Sequence, residues 1–444
     1  MILQRINMSF SNDCVTEELD YFSEPISQFE IEKTQLIEYT PITSLDKNDK
    51  IHFRIIGQSD EFIKLKSSFI ILNLEVNKIG GATTLSGDTT PTIKFDHSAR
   101  EIKPVNNLLH SIFSDVYVSL NNKKISADHS NYAHRAYFQT LLNFSKEDQD
   151  NLLTASLWKK DGKTDGSFND RYDCFVQNDK TINIQLAGRL FIDFFNQPLN
   201  LLNNINIDIV LIRQHISFPF MYTADNYDYK IKNISLYVKK VKINSNVRKA
   251  IDYRLLKEPA KYPFTRGEVK TFEIVQNNKS VTHDNIFLGK LPTRLFIAFV
   301  DSDSYSGSKD SNPFKFQHFY IDFLVLYKNG VQIPSHPFTP NFKGKEAKRS
   351  YLSIFHATNT FYSEKSINIS YDDFLNGYTM WGFDLTSDQC DSDNFYHPTE
   401  NGNIKLEVKF KKPLAKNVTC ILYADYDDIL MITHDRNIIT DFTL

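Results

Sequence analysis

Three groups of side chains have the types and spacing for chemistry. The run YADYDDIL (423–430) sets Asp425, Asp427 and Asp428 beside Tyr423 and Tyr426, and resembles the Tyr-x-Asp-Asp hairpin of two-metal phosphoryl transfer. That reaction needs carboxylates converging from separate strands and a basic groove for a template. Neither a matching helix pattern nor a basic stripe accompanies this run, so it is expected to be a surface turn. A second group, DQCDSDNFYH (388–397), gathers Asp388, Asp391, Asp393 and His397. It lacks the central glycine and terminal glutamate of a Ca²⁺ loop and is expected to be a solvated loop, as are Asp301 and Asp303. In the third, His129 and His134 flank Asn131 and Tyr132 with no third ligand of matching type, so structural or surface histidines are expected.

No phosphate-binding loop, dinucleotide fingerprint, H-E-x-x-H or G-x-S-x-G occurs. The expectation is therefore no catalytic residue, no metal ligand, no cofactor and no enzyme. Cys14, Cys174, Cys390 and Cys420 are far apart and in no ligand spacing, which reads as reduced thiols. The net charge is −3 with basic residues spread along the chain, which argues against sequence-specific nucleic-acid binding. The first thirty residues carry six acidic side chains against Arg5 alone, a poor DNA tether. MILQRINMSF is too short and interrupted for a signal sequence, and no apolar run is long enough to span a membrane.

The elements that must position any site are strands. With 35 Phe and 22 Tyr against two Trp, the composition suits half-buried pleated surfaces. Apolar-alternating runs appear at IHFRII (51–56), SFIILNLEV (68–76), DVYVSL (115–120), INIQLAGRLFIDFF (182–195), INIDIVLI (205–212) and ISLYVKKVKI (234–243). A second series follows at RLFIAFV (294–300), FYIDFLVLY (319–327), NIKLEVKF (403–410) and VTCILYA (418–424). Strand-length runs bounded by turn residues over two stretches of similar length predict an all-β protein of two sandwiches. NYAHRAYFQTLLNF (131–144) reads as a helix, and Ser145 as the N-cap of KEDQDNLLTASL. Three polar stretches, 80–92, 159–170 and 301–313, read as loops that project from the body or order against a partner. The expected junction is 244–268, where a short helical pattern ends at Pro259.

The most patterned segments carry a family resemblance. VNNLLHSIFSDVYVSLNNKKI (105–125), NYAHRAYFQTLLNF (131–144) and LWKKDG (157–162) resemble the capsid proteins of Polinton/Maverick elements and adintoviruses. The similarity continues through KNISLYVKKVKI (232–243), AKYPFTRGEV (260–269), LGKLPTRLFIAFV (288–300) and NPFKFQHFYIDFLVLYKNGVQIP (312–334). It closes with YTMWGFDLTSD (378–388), GNIKLEVKFKKPLAKNVTCILYADYDDIL (402–430) and HDRNIIT (434–440), in order across roughly 100–440.

That resemblance, to the lineage that includes adenovirus hexon and virophage capsids, implies two tandem eight-stranded jelly-roll β-sandwiches (a double jelly roll) with short helical insertions. It divides the chain into an N-terminal arm (1–30), a first jelly roll (31–245) with a helical insertion near 131–160, and a second (246–444). The implied function is that of a major capsid protein in the virion, synthesised in the host cytoplasm and assembled there or in the nucleus. Its partners are itself, as a homotrimer and then a trimer–trimer lattice, and penton or minor capsid proteins. The 131–160 excursion and the 301–313 loop are expected on the exterior or at trimer seams. Competing readings are a virion spike or adhesin, which favours exposed Trp or Tyr platforms, and a β-sandwich hydrolase with an unrecognised carboxylate pair.

Overall fold

The computed structural model describes residues 28–45, 49–79, 100–126, 131–162, 166–222, 226–363, 366–389 and 396–442. The first 27 residues of the expected arm, the whole 80–92 loop, His129, Asp391, Asp393, Cys14 and Cys390 lie outside them.

Sixteen of the twenty strands among the described residues form the four main sheets. The first eight are β1 (Ile31–Tyr39), β2 (Lys50–Ile55), β3 (Glu61–Ile79), β4 (Phe113–Leu120), β5 (Lys123–Lys124), β6 (Thr181–Gly188), β7 (Ile207–Arg213) and β8 (Asn226–Ile243). The rest are β9 (Ala260–Ile274), β10 (Ser280–Lys290), β11 (Arg294–Asp301), β12 (Ile321–Lys328), β13 (Val331–Phe338), β14 (Met380–Asp384), β15 (Asn401–Phe410) and β16 (Val418–Ile432). The early strands pair in the orders β1-β8-β3-β6 and β2-β7-β4-β5, the later ones as β9-β16-β11-β14 and β10-β15-β12-β13. Counted within each set of eight, both give 1-8-3-6 and 2-7-4-5, all antiparallel, so one folding pattern is used twice. Side-chain direction explains the strands. In β3, burial alternates residue by residue through Ile70, Leu72, Leu74 and Val76, the period-2 signature of a sheet with one core face.

The run at 182–195 is not one strand as expected. It stops at Gly188, where an added Cβ would lie 2.7 Å from Leu109. Beyond it, Leu190 to Phe195 are buried consecutively instead of alternately, ending in a 3₁₀ turn at Asp193–Asn196.

Two expectations about the surface are corrected in part; within 131–160, residues 146–155 are exposed as expected except Gln149 and Leu153, but the helix before them is not. Helix α1 (Tyr132–Asn143) is not an exterior excursion; ten of its residues are buried. Tyr132 and Ala136 enter the core of the first sandwich, and Ala133, Tyr137, Phe138, Leu141 and Leu142 that of the second, so the helix is an internal wedge. Ser145 does cap the next helix, α2 (Lys146–Asp150), accepting from the Asp148 amide. The 301–313 loop, which opens with the short helix α3 (Ser302–Tyr305), does not project either. The Lys309 carbonyl accepts from the Tyr222 amide (2.8 Å), Tyr305 hydrogen-bonds Asn131, and Gly307 abuts Phe218. The loop is a clasp between the sandwiches. The described part of 159–170 is also anchored: Arg171, fully buried, pairs with Asp161 (2.8 Å) and donates to the Lys159 carbonyl (2.7 Å).

Candidate functional site

The acidic run lies within β16, hydrogen-bonded between β9 and β11, and not on a surface turn. Each carboxylate meets a different partner. Asp428, fully buried, pairs with Arg266 (2.5 Å, from β9) and Lys290 (2.6 Å, from β10). Asp425 lies 3.7 Å from Arg294 of β11; burial lifts its carboxyl above the usual range against the pull of that arginine. Asp427 accepts from His397 Nδ1 (3.1 Å), while His397 Nε2 meets Asp388 (3.0 Å). Asp425 and Asp427, two residues apart, share one face of β16 and Asp428 lies on the other, and each carboxylate has its own basic partner, so the three do not form the shared cluster that two metals require. Among the described residues, no group of three His, Cys, Asp or Glu side chains is placed to hold a metal ion.

His397 is therefore a half-buried clamp between two carboxylates, while 390–395 of the expected solvated loop lie outside the described residues. Burial opposes its charge, but Asp427 and Asp388 prevail and hold its pKa above the ordinary value. His134 is caged by Tyr305 (ring centroids 4.8 Å), Phe218 (5.5 Å) and Phe314 (5.5 Å), and burial lowers it to about 4. Asp301 accepts from Gln317, and Asp303 lies in the first turn of α3. Cys174 is exposed and Cys420 buried, both free.

One carboxylate that sequence reasoning missed organises the seam between the sandwiches. Asp193, buried, accepts from Arg135 Nη1 (2.9 Å) and Gln139 Nε2 (2.8 Å) of α1 and from the Gly267 amide (3.0 Å) of β9. Beside it Phe138 stacks on Phe316 (5.1 Å) and Tyr423 (5.4 Å). The only local signal was one acid inside an apolar run, LFIDFF, since a buried Asp requires donors.

The surface offers contact area instead of a reaction centre. Strand β1 is a nine-residue sheet edge paired only with β8, and nearly all of it is exposed on both faces. Leu36 is 54% exposed and Phe29, just before the strand, 65%. Both tryptophans, Trp158 and Trp381, are buried, so neither forms a ligand platform. Among the described residues, no helix is long and apolar enough to cross a membrane.

Known proteins share this architecture over almost the whole chain. It is similar to a chain in the structure of the Sputnik virophage (TM-score 0.66, 12% identity, 97% of this chain and 92% of that one). It is also similar to a chain of the PBCV-1 virus capsid (0.58, 10%, 96% and 100%) and to the mavirus major capsid protein (0.55, 10%, 98% and 95%). An uncharacterised protein of Caenorhabditis elegans is 24% identical over 399 residues, 88% of this chain and 92% of that one. No protein-family model matches. The fold is the double jelly roll.

Proposed function

We propose that this chain is a major capsid protein of the Polinton/Maverick–adintovirus type, acting by self-assembly and not by catalysis. The observation that carries the reading is the double jelly roll spanning the whole described chain, shared end to end with the mavirus major capsid protein. On this reading, 31–245 and 246–444 are two wedges of similar outline. Three copies then present six wedges, which gives an ordinary homotrimer a nearly hexagonal footprint able to tile an icosahedral shell, with penton and minor proteins completing it. The virion is its location. A nematode relative of nearly the same extent fits an element carried in animal genomes.

Strand β1 supports self-association physically. A long edge strand with apolar residues on an open face templates pairing or burial by another chain, and stable monomers avoid such edges. Obligate interfaces are large and apolar, and Phe29, Ile31 and Leu36 supply apolar area at this edge. The test is the solution mass by light scattering, with negative-stain imaging of the same fraction. A species of three chain masses with a hexagonal outline is expected, and Leu36→Glu should shift it toward monomer. A wild-type chain that stays monomeric at micromolar concentration overturns the reading.

A further inference from the structure

An apolar groove of about 350 Å³ opens on the first sandwich. Its walls come from β3, the end of β6, the chain after α1 and the 3₁₀ turn Leu152–Ser156. Phe144, Leu153, Ala187 and Phe191 make it greasy, and the volume is within the range of small-molecule sites. Its charges have one sign: Lys66 and Arg189 line it, and no carboxylate does. Arg189 donates to Asn196 Oδ1, and neither cation pairs with a carboxylate among the described residues.

The lining also holds an uncommitted hydrogen-bonding group. His110 is 2% exposed, and its ring lies against Phe191 (centroids 4.6 Å). Tyr132 Oη accepts from the Phe191 amide (3.2 Å) and stands 2.9 Å from His110 Nδ1. With the phenol donating to Nδ1, the imidazole carries its proton on Nε2. Burial keeps the ring neutral, lowering its pKa to about 3. No described residue accepts from Nε2, which leaves a donor in the lining of an apolar groove with cationic side chains.

We propose that this groove binds an amphipathic anion with a single acyl chain, a fatty-acid carboxylate. The chain lies against Phe144, Leu153 and Phe191, and the head is held by Lys66 and Arg189 with His110 Nε2–H as a further donor to oxygen. Burying the tail provides the main attraction, and the cations select the sign of the head. This inference does not depend on the capsid reading, because it needs only the folded first sandwich.

The experiment is calorimetric titration of the full chain with sodium dodecanoate below its micelle concentration, with dodecyltrimethylammonium as the opposite-charge probe. One saturable dodecanoate site per chain is expected, with no competition from the cationic probe. Lys66→Glu and Arg189→Glu alter exposed residues, leave the fold intact, and should each weaken dodecanoate at least tenfold. Ala155→Trp, which fills the groove from an exposed position, should abolish binding. No saturable binding overturns the proposal, as does binding that survives both Ala155→Trp and Arg189→Glu. If Ala155→Trp instead changes the solution mass while dodecanoate binds nowhere, the groove belongs to a second copy of the chain and the proposal fails.

Discussion

Replacing Asp193 by alanine tests whether one buried carboxylate locks the two sandwiches together. The substitution removes the partner of Arg135 and strands the Gln139 amide and the Gly267 N–H, all within 3.0 Å of the carboxylate. Breaking a buried ion pair by deleting one member costs about 3–5 kcal/mol, and an orphaned buried N–H adds about 1–3. Arg135 keeps its second acceptor, the Phe191 carbonyl at 2.8 Å, which offsets part of the loss. The net expectation is about 4 kcal/mol. With a urea dependence of about 3 kcal/mol per molar, the unfolding midpoint falls by roughly 1.3 M. Trp158, packed against Tyr137 of α1, and Trp381, both in the second core, make fluorescence a suitable readout of that side of the seam. Asp193→Asn keeps an acceptor and should lose roughly half as much, while a double-mutant cycle with Arg135→Met should show coupling above about 1 kcal/mol. An Asp193→Ala protein within about 1 kcal/mol of wild type refutes the argument.

Phe138→Ala should cost about 3–5 kcal/mol, because it opens a hole between Phe316 and Tyr423, whereas Phe138→Leu should cost clearly less; urea curves on both variants decide. Acid should weaken the fold through two histidines buried in neutral form, whose pKa burial lowers from the ordinary 6.5 to about 4 for His134 and about 3 for His110. Their contribution is complete above about pH 6.5 and is lost as pH falls toward those values, about 2 kcal/mol each at pH 5. His134→Phe should flatten the stability profile between pH 6.5 and 5, and an unchanged slope refutes the claim. His397 behaves oppositely: its pKa is raised, so its stabilising charge is fully present below about 6.5 and fades as pH rises through the folded value. A histidine NMR titration should place His397 above the free value, and Asp388→Asn should bring it down.

Much of the architecture is written in local pattern. Alternating apolar residues at 51–56, 68–76 and 403–410 become β2, the middle of β3 and β15, because successive strand side chains point to opposite faces whatever lies far away. The same holds for α1 and for the Ser145 cap, which depend on neighbours three or four residues distant. The charged side chains were misread for the complementary reason. Asp425 and Asp428 look solvent-bound because a run of acids has no local partner, yet Arg266 and Lys290 reach Asp428 across 162 and 138 residues of chain. The polar 301–313 stretch closes inward in the same way, finding its acceptors and donors on the other sandwich.

The amino-acid sequence by itself thus determined many of the strands, the helix at 132–143 and the repeated sandwich, since these follow from the period of side-chain direction. Only the tertiary structure decided that α1 is a wedge, that the acids are compensated and that Asp193 holds the seam. Those outcomes depend on which distant donors and rings arrive at the same place, and burial makes each such meeting strongly favourable or strongly costly without leaving a mark on the residues nearby.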